Sequence, residues 1–293
     1  RPLTDNTADD NFPSWSHNAG KLAFLSSANR SGSNFPEIWV IDQKGENLVQ
    51  VSTDTNISDY YHPFEWSPVD EKIAFVSSEN ENKDIFISDM TESRAITADP
   101  GSDTSPAWSP NGDQIAFVTD RNGNQDIYVI DIESGELTRL THDSAQETDP
   151  DWSADGERIA FSSNRSGSYQ IYLMNGDGTN VIQLTDEGNN RYPTWSPDGE
   201  TIAFYLDKDG NYDLYTINSN GSQMIRVFDA YGESLLFESL LDIYFSWSPD
   251  GSEIVFSYGG GIYLTEPDGS NFRKLEDVVG WFPVWSPKCY RKD

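Results

Sequence analysis

Few side chains in this sequence are spaced for chemistry, and those that are carry oxygen. The run Asp207-Lys-Asp209-Gly-Asn211-Tyr-Asp213 sets oxygen ligands at alternate positions, as the start of an EF-hand calcium loop does. Its glycine comes fourth rather than sixth, and Asn218 stands where the loop needs a bidentate Glu. The stretch also reads as a β-hairpin turn, because "DRNGNQD" and "NRSGSYQ" occupy matching places and such turns need Gly and Asn. Hairpin turn and weak calcium site are both open here; calcium is the one cofactor the sequence suggests, and none is required. His17, His62 and His142 show neither His-x-His nor His-Glu-x-x-His spacing, so a zinc site has little support. No Gly-x-Ser-x-Gly elbow occurs, so a serine-hydrolase nucleophile is missing and no catalysis is expected.

A second pattern is tied to seven Trp-Ser pairs. Five residues before each Trp stand Asp10, Tyr61, Asp103, Glu147, Asn190, Asp242 and Gly280. If those positions converge, four carboxylates from four repeats face one another, with Asp149 close by. Such a rim repels itself unless it holds a cation, water or a partner's Lys or Arg. The competing reading is that each acid caps its own loop. Aromatic and apolar residues share these loops: Tyr61, His62, Arg191, Tyr192 and Trp281. Arg30, Arg121 and Arg165 recur at the end of the second apolar run of their repeats, either pairing with acidic residues of the adjacent loop or clamping a substrate. The insertion "YGESLLFESLLDIY" at 231–244 places Leu236/Leu240 and Phe237/Leu241 at i, i+4, which suggests a short amphipathic helix. Leu236, Phe237 and Leu240 then either cover a sheet edge or form a partner-binding loop.

The elements that must position these residues are strands. The Trp-Ser pairs are separated by 51, 42, 44, 43, 52 and 38 residues, a repeat of the length that marks four-stranded sheets set around an axis. Between Pro106 and Thr141 the plan is plain: "PAWS", "PNGD", "QIAFVTD", "RNGNQ", "DIYVIDI", "ESGE", "LTRLT". Short apolar runs rich in Ile, Val, Phe and Tyr are bounded by Gly, Asp, Asn and Pro, which is a strand signal. In Ser-Pro-Asp-Gly the Ser accepts, Pro presets φ, Asp suits the third position and Gly the fourth of a type I turn. With strands lettered A to D from the axis outward, A ends at each Trp-Ser. B is expected at Lys21–Ser26, Lys72–Ser77, Gln114–Thr119, Arg158–Ser163, Thr201–Leu206 and Glu253–Tyr258, and C at Ile38, Ile85, Ile127, Ile171, Leu214 and Ile262. "PLT" at Pro2–Thr4 supplies a seventh D strand. The expectation is an all-β propeller, residues 1–293 forming one domain of six complete blades. A partial seventh would be closed by the N-terminal strand and Phe282–Ser286, its missing strands lying upstream of Arg1. The alternative is six blades with the last Trp-Ser segment packed irregularly.

"PAWSPNGDQIAFVTDRNGNQDIYVID" and "PDWSADGERIAFSSNRSGSYQIYLMNGDG" resemble the repeats of the TolB-like β-propeller family, also called WD40-like PD40 repeats. The likeness runs through the whole chain, including an ending, "FPVWSP", like that of the family's propellers. It implies an extracytoplasmic, periplasmic or secreted module that binds other proteins. The same repeats accompany serine peptidases and some polysaccharide-degrading enzymes. This makes a carbohydrate-processing propeller, or the accessory propeller of a peptidase whose catalytic domain is absent, the alternative.

Bulk properties bound the partners. Nineteen Lys and Arg against 49 Asp and Glu leave a net charge of −30, which disfavours nucleic acid and anionic lipid and favours cations or a basic protein or peptide. The single cysteine, Cys289, excludes an internal disulfide framework. No apolar run reaches membrane-spanning length, so no membrane insertion is expected. The opening "RPLT", without Met, suggests that a leader or upstream segment has been removed. The expected molecule is a monomeric, non-catalytic propeller that takes a protein or peptide on its D–A loop face.

Overall fold

Each apolar run between two turns becomes a strand too hydrophobic on both faces to stand alone, so the sheets must stack on one another. The computed structural model describes residues 3–4, 9–27, 36–52, 63–78, 82–208, 211–230 and 244–287. They form six four-stranded antiparallel sheets, each with its strands in sequence order. Strand A is Asp10–Trp15, Phe64–Trp66, Asp103–Trp108, Glu147–Trp152, Asn189–Trp195 and Phe245–Trp247 in blades 1 to 6. Strand B is Lys21–Ser26, Ile73–Ser77, Gln114–Thr119, Arg158–Ser163, Thr201–Lys208 and Ile254–Tyr258, within two residues of every expected boundary. Strand C holds each of the six Ile and Leu positions expected, and the D strands of blades 1 to 5 are short, two to four residues, and mostly exposed as outer edges.

The core repeats with the sequence. In each blade an aromatic of strand B sits opposite one of strand C: Phe24 and Trp39, Phe75 and Phe86, Phe117 and Tyr128, Phe161 and Tyr172, Phe204 and Tyr215, Phe256 and Tyr263. Phe75, Phe117, Phe161, Phe204 and Phe256 are among the largest fully buried side chains, and such cross-strand aromatic pairs stabilise a sheet beyond the area they bury. The apolar clusters join successive blades, and each buried Trp ending strand A packs on the blade before it. Trp66, Trp108 and Trp247 add an indole N–H bond to the carbonyl of the residue before the preceding blade's Trp: Ser14, Glu65 and Thr194. This packing turns the sheets about one axis and makes a six-bladed propeller.

The turn after each Trp behaves as its residues require. Gly112, Gly156, Gly199 and Gly251 have φ between +70 and +73°, and each donates its N–H to the carbonyl of the motif's Ser. The Ser hydroxyl then accepts the N–H of the residue that opens strand B, as Ser196 does from Thr201 at 3.0 Å.

Among the described residues the sheets number six and no split seventh sheet is formed, which corrects that part of the expectation in favour of its six-bladed alternative. Leu3–Thr4 and Phe282–Ser286 make no strand, Pro2 lies outside the described residues, and the count among them is six. Among the described residues no strand pairs with the segment after blade 6. The expected helix at 231–244 falls almost wholly outside the described residues, and no helix occurs among them. None is therefore long and apolar enough to cross a membrane.

Candidate functional site: an acid-lined central channel

Strand A is interrupted by one extra residue. In blades 1, 3, 4 and 5 three residues of strand A span two of strand B, between Asn11 and Ser14, Thr104 and Ala107, Thr148 and Asp151, and Arg191 and Thr194. The third residue before the Trp takes a left-handed conformation in each: Phe12, Ser105, Asp149 and Tyr192, with φ of +51 to +57°. This is a β-bulge, and its physical effect is to reverse the alternation of side chains upstream of it. The residue just before the Trp faces the axis, whereas the residue five before it turns back into its own blade.

The rim acids accordingly sit inside the blades. Asp103 is fully buried and held by Arg121, which also grips Asp99. Glu147 is fully buried between Ser163 Oγ at 2.8 Å and Arg165 at 3.1 Å, and Arg165 reaches Asp143 as well. Asp10 accepts from Ser26 Oγ at 2.5 Å, and Asn190 donates to Gln170 at 2.7 Å. Arg121 and Arg165 lie over Tyr128 and Tyr172 at 4.8 Å, which spends both guanidinium groups on local structure. Burial pushes the carboxyls of Asp103 and Glu147 up, opposed by the hydroxyl and guanidinium partners of each. Neighbouring Asp84 of blade 2 is raised to about 6 by burial and by the charges of Asp103 and Asp99.

Other sequence-derived candidates are scattered. The Arg191 guanidinium stacks on Tyr169 at 3.5 Å, Tyr192 meets Tyr205 edge-on at 6.3 Å, and Trp281 is 51% exposed. Asp213 accepts the Ala230 N–H at 2.8 Å and lies 3.6 Å from Arg226, while Asp207 pairs in register with Tyr212. His17 and His142 are exposed, on turn and loop. Tyr61, His62, Asp209, Leu236, Phe237, Leu240, Asp242 and Arg30 lie outside the described residues. Among the described residues no three His, Cys, Asp or Glu side chains are grouped to hold a metal ion.

The residue just before the Trp supplies a different pair of acids. Glu65 of blade 2 and Asp151 of blade 4, each just before its Trp, line an axial cavity of about 160 Å³. Ser105, Pro106 and Ala107 of blade 3, Asp149 and Pro150 of blade 4, and Pro193 and Thr194 of blade 5 complete its wall. Glu65 accepts the main-chain N–H of Trp108 at 2.9 Å, and Asp151 that of Trp195 at 2.7 Å, so each carboxyl links its blade to the next. Burial raises the Glu65 carboxyl to about 8, with a further push from the charge of Asp151; burial raises Asp151 to about 7. Near neutral pH the channel therefore holds two carboxyl groups able to keep or release a proton. They can donate to a neutral acceptor, or ionise against an arriving cation. Asp149 stands beside them, accepting from Thr148 Oγ1 at 2.8 Å. Reading the residue before every Trp, namely Ser14, Glu65, Ala107, Asp151, Thr194, Ser246 and Val284, would have singled out both.

The fold and this channel define a six-bladed β-propeller with an acidic axis. The chain belongs to the TolB beta propeller domain (PD40) family, which matches residues 27–192. Among solved structures it is similar to TolB from Acinetobacter baumannii, at 27% identity over 92% of this chain and 67% of that one, with a TM-score of 0.69. An oligogalacturonate lyase from Vibrio parahaemolyticus shares the fold at 16% identity, covering 97% of this chain and 86% of that one, with a TM-score of 0.73. A puromycin-hydrolyzing peptidase from Mycobacterium tuberculosis shares it at 14% identity over 92% of this chain and 46% of that one, with a TM-score of 0.68. None of the curated proteins matches the chain.

Proposed function

We propose that this protein is a non-catalytic, extracytoplasmic binding propeller that takes a basic segment of a protein or peptide into the mouth of its central channel. The observation that carries the reading is the pair Glu65 and Asp151, two axial carboxyls held on neighbouring blades' N–H groups in a chain of net charge −30. A Lys or Arg side chain entering there meets both acids. It is favoured by the field of the whole molecule and by the ionisation it induces. Family membership supports the extracytoplasmic setting. The lyase-like alternative fits less well: an oligogalacturonate is a polyanion, and this channel would repel it.

The test is calorimetry at pH 7 with a flexible Gly/Ser peptide carrying adjacent Arg and Lys, against the same peptide carrying two Glu. The basic peptide should bind and release protons, seen as a heat that changes with the buffer's ionisation enthalpy. Replacing Glu65→Gln and Asp151→Asn together should weaken binding at least tenfold. Equal binding by that variant, or no preference for the basic peptide, refutes the reading.

A further inference from the structure

Charges meet across the blade junctions in a repeating pattern, with one exception. Lys21, six residues after its Trp, crosses from blade 1 to blade 2 and pairs with Glu71, five residues after the next Trp, at 2.5 Å. Arg158, at the same place in blade 4, crosses to blade 5. Its guanidinium lies 4.7 Å from the centre of the Trp195 ring and donates to the Gly199 carbonyl at 3.4 Å. Read along the chain, these two positions are Lys21/Glu71, Lys72/Asp113, Gln114/Glu157, Arg158/Glu200 and Thr201/Ser252. Three set a cation beside an acid, although Lys72 is drawn to Asp70 of its own turn, and one sets two neutral residues together. Of these five junctions, that of blades 3 and 4 alone sets an acid, Glu157, beside a neutral side chain, Gln114.

The same junction is open. A groove of about 650 Å³ lies there, lined by Gln114, Val129 and Leu140 of blade 3 and by Trp152, Glu157 and Asp177 of blade 4. No Lys or Arg lines it. A second departure from the repeat keeps it clear. The residue that bonds its N–H to the carbonyl five residues after the Trp is Gln43, Ile132, Gly176 and Ser219 in blades 1, 3, 4 and 5. Ile132 packs into the cluster that holds Trp108, whereas at Gly176 even a Cβ would fall 2.9 Å from the Trp152 ring. Val129, Leu140 and Trp152 make a buried apolar wall, with Glu157 and Asp177 exposed at its edge. Asp177 accepts the Thr179 hydroxyl and N–H, which hold its carboxyl below the usual range.

We propose that the groove between blades 3 and 4 binds an arginine side chain of a partner peptide, its guanidinium set against Glu157 and its stem laid along Leu140 and Trp152. Arg158 and Lys21 are the templates, and the ligand supplies from outside the cation that the repeat carries elsewhere. A guanidinium fits better than an ammonium because it can face an indole ring and bond a carboxylate as a fork. Its aliphatic stem suits the apolar wall. The Gly156 carbonyl stands where that of Gly199 receives Arg158. The site goes beyond the axial channel, with which it shares no lining residue.

The probe is N-acetyl-leucyl-arginine amide, titrated into the isotope-labelled intact protein and followed by amide chemical shifts. N-acetyl-leucyl-citrulline amide, its uncharged counterpart, is the control. Saturable shifts are expected at Gly156, Glu157, Gly176 and Asp177, with binding at least tenfold tighter than that of the citrulline peptide. Gln114→Arg should lay an internal guanidinium on Trp152, leave the melting temperature at or above the parent's and abolish these shifts. Glu157→Gln changes only an exposed carboxylate, so it should weaken binding at least fivefold at unchanged melting temperature and serves even if Gln114→Arg fails to fold. Glu65→Gln combined with Asp151→Asn should leave the shifts intact, which separates this site from the channel. Equal shifts with the citrulline peptide, or none with millimolar arginine peptide, overturn the proposal. So do shifts that survive folded Gln114→Arg or Glu157→Gln at full strength, or that vanish in the folded channel variant.

Discussion

Replacing Glu65 with Gln should make the propeller more stable in alkaline than in acid solution relative to the parent protein. The amide keeps an oxygen to accept the Trp108 N–H, now at 2.9 Å, and removes only the ionisation. Glu65 is raised from 4.5 to about 8, so the folded state holds its proton more tightly than the unfolded chain does. The stability this contributes is complete below pH 4.5, is lost as pH rises toward 8, and is flat beyond. At roughly 1.4 kcal/mol per pH unit the full span would be about 5 kcal/mol. The side chain lines a channel that admits solvent, so about 2 kcal/mol between pH 5 and 8 is the reasonable figure. Urea unfolding at pH 5, 6, 7 and 8 measures it. Parent and Glu65→Gln should agree within error at pH 5 and diverge by about 2 kcal/mol at pH 8, the variant being the more stable. Parallel curves would show that Glu65 is ionised at ordinary pH, and the account of the channel as two protonatable carboxyls would fail.

Asp151→Asn should repeat the effect over a lower window, between pH 3.8 and about 7, because its carboxyl is raised from 3.8 to about 7. Arg165→Ala strips fully buried Glu147 of its guanidinium and should cost about 3 kcal/mol at pH 7 by thermal or urea unfolding. That deficit should shrink as Glu147 is protonated below neutrality, and adding Glu147→Gln should recover most of it. Gly199→Ala meets nothing within 4 Å and bears only the strain of φ +71°, about 1 kcal/mol. Gly178→Ala bears similar strain and also a Cβ 2.9 Å from the Leu140 carbonyl, so its urea midpoint should fall at least twice as far.

Strands, turns and blade order are local matters, and the sequence by itself determined them. Seven Trp-Ser pairs, alternating apolar runs and the Gly that follows five of the pairs name almost every strand boundary, since each depends on residues a few positions apart. The identity of the channel acids was decided only by tertiary structure. With unbroken alternation, residues one and five before each Trp share a face, and Asp103 and Glu147 would look down the axis. The bulge at Ser105 and Asp149 inserts one residue and turns those acids onto Arg121 and Arg165, while Glu65 and Asp151, each just before its Trp, line the channel cavity. The ends of the chain were settled in the same way. "PLT" and "FPVWS" each resemble a strand, but a strand exists only where a neighbour accepts its N–H groups. Leu3 lies against Gly45 and Phe282 packs on Phe12, and neither segment joins a sheet among the described residues.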